Sequence, residues 1–312
     1  MPASAERAAG APVDVVCAGG AVQDFIMRMD RFPEPGTKKQ ASDFVSTIGG
    51  QSGNTALAVA RLGGRAHYAG PVGDADDDIA NRAIAMLERE GVDCSGAIRV
   101  PGGICSASLI MIDGAGEKLI STRRGHGLRG IAPPDPARTV AAADAVLLDN
   151  RYPDFIIPIA QAAAARGIPR VLDIDYGDAD GDQTLPFCDY VVASAEALRA
   201  ITGVRDLAGA LLTLGQDHPG FLAVTDGPDG VYWRDGAAVR HMPAFKVDAI
   251  DTLGAGDIFH AGFTLRLVET GDPIEAMRFG SAAAALKCTQ FGGAAGTPRR
   301  AEVNRFLQAQ DR

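Results

Sequence analysis

The sequence predicts a doubly wound α/β fold, a mostly parallel sheet between helices, with a small β lid standing off it. Three features predict it. Short apolar runs alternate with Ala-rich helical stretches along most of the chain, the pattern of βαβ units around a parallel sheet. Glycine-rich turns follow several of those runs, where the carboxyl ends of parallel strands present their ligand crevice. Segments 25–30 and 40–48 instead alternate in and out around Phe32-Pro33-Glu34-Pro35-Gly36. Antiparallel strands of that kind, inserted after a first core strand, suggest a lid rather than part of the main sheet.

Taken in order, residues 1–12 read as a disordered leader, polar and Ala-rich, without the apolar run of a signal peptide. Residues 13–18 form the first buried strand by length and branching. It ends in Gly19-Gly20-Ala21-Val22-Gln23-Asp24, which is not G-x-G-x-x-G, so a dinucleotide fingerprint is unsupported. Gly49-Gly50-Gln51-Ser52-Gly53-Asn54 turns into an Ala-rich helix that stops near Gly63. Its glycines let a ligand approach the backbone, and Asn54 can both donate and accept. Residues 76–90 form an amphipathic helix ending at Gly91. Segments 104–113 and 118–123 flank Gly114-Ala115-Gly116 as a hairpin. Runs 145–148, 170–173, 190–193 and 221–225 are core strands, with helices such as 160–166 between them. Strands 231–234 and 237–242 surround Asp235-Gly236, a long Ala-rich helix covers 274–290, and 302–310 is a terminal surface helix.

Composition narrows the function. With 312 residues and 46% hydrophobic content the chain can bury a sizeable core, and its net charge of −9 argues against nucleic acid and anionic membranes as partners. No 18-residue apolar stretch suggests a membrane span. The five cysteines are scattered without a C-x-x-C pair, which fits a cytoplasmic protein with buried thiols.

The chemistry concentrates in Asp251-Thr252-Leu253-Gly254-Ala255-Gly256-Asp257 and the apolar helix that follows. A glycine turn at the positive end of a helix favours an anion. Asp257 beside that anion is placed to take a proton from an attacking hydroxyl. An anion cradle with a base is the minimum equipment for phosphoryl transfer to an alcohol. The plainer alternative is an ordinary acidic residue at a helix start.

D-T-L-G-A-G-D-I-F-H-A-G-F (251–263) resembles the C-terminal signature of the ribokinase-like (PfkB) carbohydrate kinases. G-G-Q-S-G-N-T-A-L-A-V-A-R-L-G (49–63) resembles their N-terminal signature, in the right order, and Gly70-Pro71-Val72-Gly73-Asp74 resembles a family turn. The resemblance spans roughly residues 13–300. It implies a three-layer αβα sandwich with an α/β body at 13–22, 50–96 and 126–312, and a β lid at 23–49 and 97–125. It makes Asp257 the catalytic base and gives Gly254, Ala255 and Gly256 the anion hole. Asp24, Gly49, Gly50 and Asn54 then hold the sugar. Thr225-Asp226-Gly227-Pro228-Asp229-Gly230 resembles the nucleotide loop, which assigns Thr225, Gly227 and Gly230 to ATP, with Ser281 and Ala285 against the adenine. Gly292-Gly293 resembles the turn closing a monovalent-cation loop around Asp251 and Thr252, so K⁺ joins ATP and Mg²⁺ as an expected cofactor. One departure stands out: the family's N-x-x-E is replaced by Ala193-Ser194-Ala195-Glu196-Ala197, which leaves Glu196 to orient the Mg²⁺ waters.

Lys38, Lys39, Arg123, Arg124 and Arg151 fall on the expected lid or at a strand end. Such a set in an acidic protein suits an anionic sugar. Pro243-Ala244-Phe245-Lys246-Val247-Asp248, the I-F-H of the signature and Ala285-Leu286-Lys287-Cys288-Thr289 resemble 6-deoxy-6-sulfofructose kinases. That implies a ketose sulfonate phosphorylated at its 1-hydroxyl. Fructokinase, ribokinase and keto-deoxy sugar acid kinase activities stay open, as does a sugar-binding regulator that kept the fold without catalysis. The lid is expected to pair with a second copy, with Phe25, Ile26, Phe44 and Val45 as its apolar supply.

Overall fold

The computed structural model describes residues 11–175 and 183–311. Residues 1–10 of the expected leader lie outside the described residues. The chain runs through β1 (Asp14–Ala18), β2 (Val22–Arg28), β3 (Asp43–Gly49), α1 (Gln51–Arg61), β4 (Arg65–Val72), α2 (Asp78–Arg89) and β5 (Asp93–Arg99). Then come β6 (Ala107–Ile112), β7 (Lys118–Arg123), the short α3 (Pro136–Thr139), β8 (Ala145–Asp149), α4 (Pro153–Arg166), β9 (Arg170–Ile174) and β10 (Tyr190–Ser194). The remainder is α5 (Ala195–Thr202), α6 (Leu207–Leu214), β11 (Phe221–Thr225), β12 (Val231–Asp235), β13 (Ala238–Met242), α7 (Ala255–Thr270), α8 (Pro273–Cys288) and α9 (Arg300–Gln310).

Among the described residues nine strands form one sheet in the order β13-β12-β11-β10-β9-β8-β1-β4-β5. From β11 to β5 the neighbours are parallel; β12 and β13 close the other edge antiparallel. Successive residues of the central strands go to opposite faces. Val15, Cys17 and Leu147 pack with Leu57, Phe263 and Ala282 of α1, α7 and α8. Val16, Ala18 and Leu148 pack with Phe155, Leu198 and Leu211 of α4, α5 and α6. A one-residue slip of β1 would exchange its two layers, which is why strands buried on both faces hold their register.

A second, four-stranded sheet has the order β3-β2-β6-β7. β2 is antiparallel to β3 and parallel to β6, and β6 is antiparallel to β7. Two boundaries differ from the sequence reading. Val22 already belongs to the small sheet, and residues 97–99 belong to the large one as the end of its edge strand β5. β5, with the sequence D-C-S-G-A-I-R and mostly intermediate burial, carries no apolar run to announce it.

The pleat also divides the apolar supply expected of the lid. Ile26 is fully buried and packs inward with Ile110, Ile112, Leu253 and Phe291. Val45 lies against the Gly292 turn. Phe44, Leu109, Leu119 and Met27 face outward and stay exposed, Leu109 at 57%.

Candidate active site

The carboxyl ends of β1, β8, β9, β10 and β11 meet the inner face of the small sheet across a cleft of about 540 Å³. Asp24, Gly50, Asn54, Arg124, Arg151, Asp173, Asp175, Thr225, Thr252 and the whole Gly254–Asp257 turn line it. A larger groove, about 730 Å³, lies at the amino ends of β9–β11 beside Arg170, Asp189 and Gly220. It is away from the strand ends where α/β sheets bind ligands.

The turn that carries Asp257 is built first. Gly254 adopts φ 76° as the N-cap of α7, a left-handed position that suits glycine. The chain then enters the helix with Asp257 in its first turn. Orphaned first-turn amides face outward from any helix start. Here the Ala255 amide turns back weakly to Thr252 O at 3.3 Å. The Gly256 and Asp257 amides find no partner among the described residues. The unpartnered amides of this turn are thus those of Gly256 and Asp257, while the sequence reading placed its expected anion hole on Gly254, Ala255 and Gly256. A Cβ built on Gly256 meets nothing within 4 Å, so its side-chain space opens into the cleft.

The Asn54 amide donates to Asp257 Oδ2 at 2.6 Å. Asn54 was expected to hold the sugar; its amide donor goes to Asp257, while its buried Oδ1 has no hydrogen-bond partner among the described residues. Burial pushes the Asp257 carboxyl well above the usual range, the nearby charges of Asp173 and Asp175 push the same way, and the Asn54 bond pulls back. A carboxyl raised in this manner is matched to a general base near neutral pH. Beneath it, His260 sets Nδ1 at 2.8 Å from Gly256 O and Nε2 at 3.1 Å from Val192 O. That ties the anion turn to β10, and the ring lies 3.4 Å from the buried Asp173.

Asp24 comes from β2 in register with Thr47 and Ser108, and Ser108 with Thr122. Together they make a polar row across the small sheet. The Ser108 and Thr122 hydroxyls are 3.1 Å apart. Burial raises the Asp24 carboxyl to about 6, with Ser108 opposing. Gly49 is required by contact: a Cβ there would stand 2.3 Å from the Asp24 carboxyl. Gly50, at φ 78°, would strike Gly20 O at 2.7 Å.

Asp149, at the end of β8, passed unnoticed in the sequence. Its Oδ2 accepts from Gly20 N at 2.7 Å, Ser52 Oγ at 2.7 Å and Ser52 N at 3.2 Å, and its Oδ1 from Arg151 N at 2.9 Å. It ties β1, α1 and β8 together beneath the cleft. Its signal was an Asp directly after an apolar strand, in the string Asp149-Asn150-Arg151. Gln51, Ser106, Lys118 and His260 also line the cleft without having been singled out.

Of the basic set, Arg124 and Arg151 reach the cleft and Lys118 joins them. Lys38, Lys39 and Arg123 do not line it. Lys39 pairs with Asp30 at 2.7 Å, Arg123 donates to Cys105 O at 2.8 Å, and Lys38 is exposed. Strand alternation explains the exchange: Lys118 and Thr122 share the inner face of β7, while Arg123 takes the outer one.

Among the expected nucleotide residues, Thr225 lines the cleft and Gly227, Gly230, Ser281 and Ala285 lie outside that lining. Glu196 is exposed on the first turn of α5, also outside it. Ser194, the N-cap of α5, lines the cleft instead. The expected monovalent-cation pair, Asp251 and Thr252, is met by a different cation. The Lys287 ammonium, fully buried, donates to Asp251 O at 2.7 Å and lies 3.1 Å from its Oδ2. Among the described residues no group of three or more His, Cys, Asp or Glu side chains is arranged to hold a metal ion. No helix among them is long and apolar enough to cross a membrane.

Comparisons with known proteins show the family of the chain. The sequence profile of the pfkB family carbohydrate kinases matches residues 13–300. An ATP-dependent ribose-1-phosphate kinase from Halopiger xanaduensis is 32% identical over 305 residues, 95% of this chain and 98% of that protein. A provisionally named ribokinase from Agrobacterium tumefaciens has a crystal structure that superposes with TM-score 0.92 at 35% identity, covering 97% of this chain and 100% of that one. Arabidopsis thaliana ribokinase, solved with ribose and ATP, superposes with TM-score 0.79 at 25% identity, covering 96% and 99%.

Proposed function

Because the chain belongs to the pfkB family of carbohydrate kinases and is an ATP-dependent sugar kinase with an alcohol acceptor, we propose that its acceptor is an anionic sugar. The observation that carries this reading is the company of the base. Lys118, Arg124 and Arg151 line the cleft that holds Asp257 and Asp24. Three basic side chains lining one cleft in a chain of net charge −9, beside the carboxylates of Asp24, Asp173, Asp175 and Asp257, favour a negative group on the substrate. The similarity to a ribose-1-phosphate kinase supports the same class. 6-Deoxy-6-sulfofructose, with its primary 1-hydroxyl phosphorylated, is the sulfonated candidate.

In this reading Asp24, with Asn54 Oδ1 and the Ser108–Thr122 row, accepts from the middle hydroxyls of the sugar. The reacting hydroxyl gives its proton to Asp257 as its oxygen bonds to the γ-phosphorus and ADP departs. The Gly256 and Asp257 amides stabilise the charge on the transferring phosphoryl group. The small sheet covers the cleft and keeps out water, which would otherwise compete as acceptor.

ATP arrives with Mg²⁺, which shields the phosphate charge. The oxygen donors suited to its hydrated shell are Asp173, Asp175 and Ser194 rather than Glu196. Burial and then the charges of Asp175 and Asp149 hold the Asp173 carboxyl well above its usual range, so a cation there relieves an existing repulsion.

The test is an ADP-release screen over matched neutral, phosphorylated, carboxylated and sulfonated sugars. The highest kcat/KM should fall on a charged member. Preference for ribose would return the enzyme to the neutral-sugar kinases.

A further inference from the structure

The segment that delivers the anion turn is held by a charge of the protein's own. Asp251 is 1% exposed and its carboxylate has four partners. Oδ1 accepts from Leu253 N at 2.8 Å. Oδ2 accepts from Gly292 N and Gly293 N, both at 2.9 Å, and faces Lys287 Nζ at 3.1 Å. Gly292 and Gly293, at φ 110° and 58°, aim successive amides at the same oxygen. Burial alone would raise the Asp251 carboxyl, but the Lys287 charge and the Gly293 and Leu253 amides hold it below the ordinary value. Ile250 N and Asp251 N both donate to Cys288 O, one residue beyond Lys287.

Lys287 is the unusual member. It is a lysine with no exposed surface, in the last turn of α8, and it donates to the Asp251 carbonyl at 2.7 Å. A buried ion pair is seldom the cheapest way to gain stability, and apolar replacements often do as well. Here the ammonium sits where a main-chain carbonyl and a carboxylate converge, three residues before Gly254. Converging oxygens of those two kinds are the donor set of a hard cation such as an alkali ion. The ammonium occupies that place.

We propose that Lys287 is a tethered cation: a positioning residue that fixes the Asp251–Leu253 approach to the anion hole and frees the enzyme from any free monovalent cation. The inference rests on the kinase reading of the Gly254–Asp257 turn and not on which sugar is taken. Burial pushes the Lys287 ammonium below its ordinary value, the charge and hydrogen bond of Asp251 pull it back up, and the charge of Lys118 adds to the lowering.

The test compares KCl, NH₄Cl and tetramethylammonium chloride at equal ionic strength. It reads the melting temperature, which needs no acceptor, and ADP release from MgATP with ribose 1-phosphate or ribose. Wild type should give the same melting temperature and rates within about twofold in all three salts, since screening is matched. Lys287→Ala should lose about 10²-fold in kcat through a loosened anion turn. K⁺ or NH₄⁺, but not tetramethylammonium, should restore its rate and raise its melting temperature. Lys287→Met, which fills the space without charge, should show the loss and no rescue. A K⁺-specific gain in wild-type rate or melting temperature would overturn the proposal, as would wild-type kcat in Lys287→Met. If neither variant folds, the wild-type salt comparison decides alone. Failure of every acceptor would count against the substrate reading and leave the melting arm intact.

Discussion

The Asn54 amide and the Asp257 carboxylate meet at 2.6 Å across 203 residues of sequence. The bond joins the two signature segments, one at the start of α1 and one at the start of α7. It donates to the ionised carboxylate, so it lowers a pKa that burial raises. Removing it must raise that pKa further. Asn54→Ala should therefore move the acid limb of kcat to higher pH and lower kcat at neutral pH. Asp257→Asn should cut kcat by about 10²–10⁴-fold at every pH while ATP binding persists, the usual cost of losing a general base. Pre-steady-state and steady-state profiles from pH 5 to 9 check both. A near wild-type rate in Asp257→Asn would remove Asp257 from the mechanism.

Gly256→Ala separates fold from function. A Cβ at this helical position meets no protein atom within 4 Å. Alanine should therefore keep or raise stability, by about 0.5–1 kcal/mol for a glycine inside a helix. Yet that methyl group would enter the space assigned to the phosphoryl group, and a misplacement of about 1 Å there costs about 10²-fold. Thermal melting beside kcat measures the two effects. An active and stable Gly256→Ala enzyme would move the anion hole elsewhere.

Asp24 sets a pH dependence in both activity and stability. Its carboxyl is raised to about 6 from 3.8. It must be ionised to accept two sugar hydroxyls, so kcat/KM should fall as pH drops through 6. The stability effect has the opposite sense. Between 3.8 and about 6 the unfolded chain has already released this proton while the folded state retains it. The Asp24 contribution is thus present at low pH and lost as pH rises through 6. Asp24→Asn should be at least as stable as wild type at pH 7, with kcat/KM lower by about ten- to a hundred-fold for one lost charge-assisted bond. A destabilised Asp24→Asn would show that burial of its charge is not a cost.

Much of this site was legible because it is written in contiguous strings. Gly254 to Asp257 and Gly49 to Asn54 each act through one turn and the helix it opens. The core strands were legible because both faces are buried, as in β8 and β11. The charges were not. Lys39 faces a partner nine residues away, Asp30. Lys118 and Arg123 exchange roles by strand parity alone. Lys287 reads in sequence as an ordinary helix lysine, and only the packing of α8 against the Asp251 segment buries it. Val45 and Ile26 looked like outer-face residues until register fixed which way each points.

The outer face of the small sheet gives an assembly prediction. Met27, Phe44, Leu109 and Leu119 are exposed at 37%, 52%, 57% and 47% on a sheet whose other face looks into the cleft. An apolar face of that kind calls for a cover, and a second copy of the sheet is the proposed one. Sedimentation at micromolar concentration should give a dimer, and Phe44→Glu with Leu109→Glu should give a monomer. A wild-type monomer would leave the face without this partner.

The central claim is that the cleft lined by Asp257 and Gly256, the proposed phosphoryl-transfer groups, also offers Lys118, Arg124 and Arg151 to a negative group on the acceptor. The most direct measurement is kcat/KM for matched acceptors differing only in the negative group: ribose 1-phosphate against ribose, and 6-deoxy-6-sulfofructose against fructose. At least one charged member should exceed its neutral partner by about ten- to a hundred-fold, the worth of one buried charge-assisted contact. Lys118→Met, Arg124→Met and Arg151→Met should lower that ratio through KM and leave the neutral sugar nearly unchanged. Equal values within both pairs, or a preference for the neutral sugar that the three variants do not alter, would contradict the account.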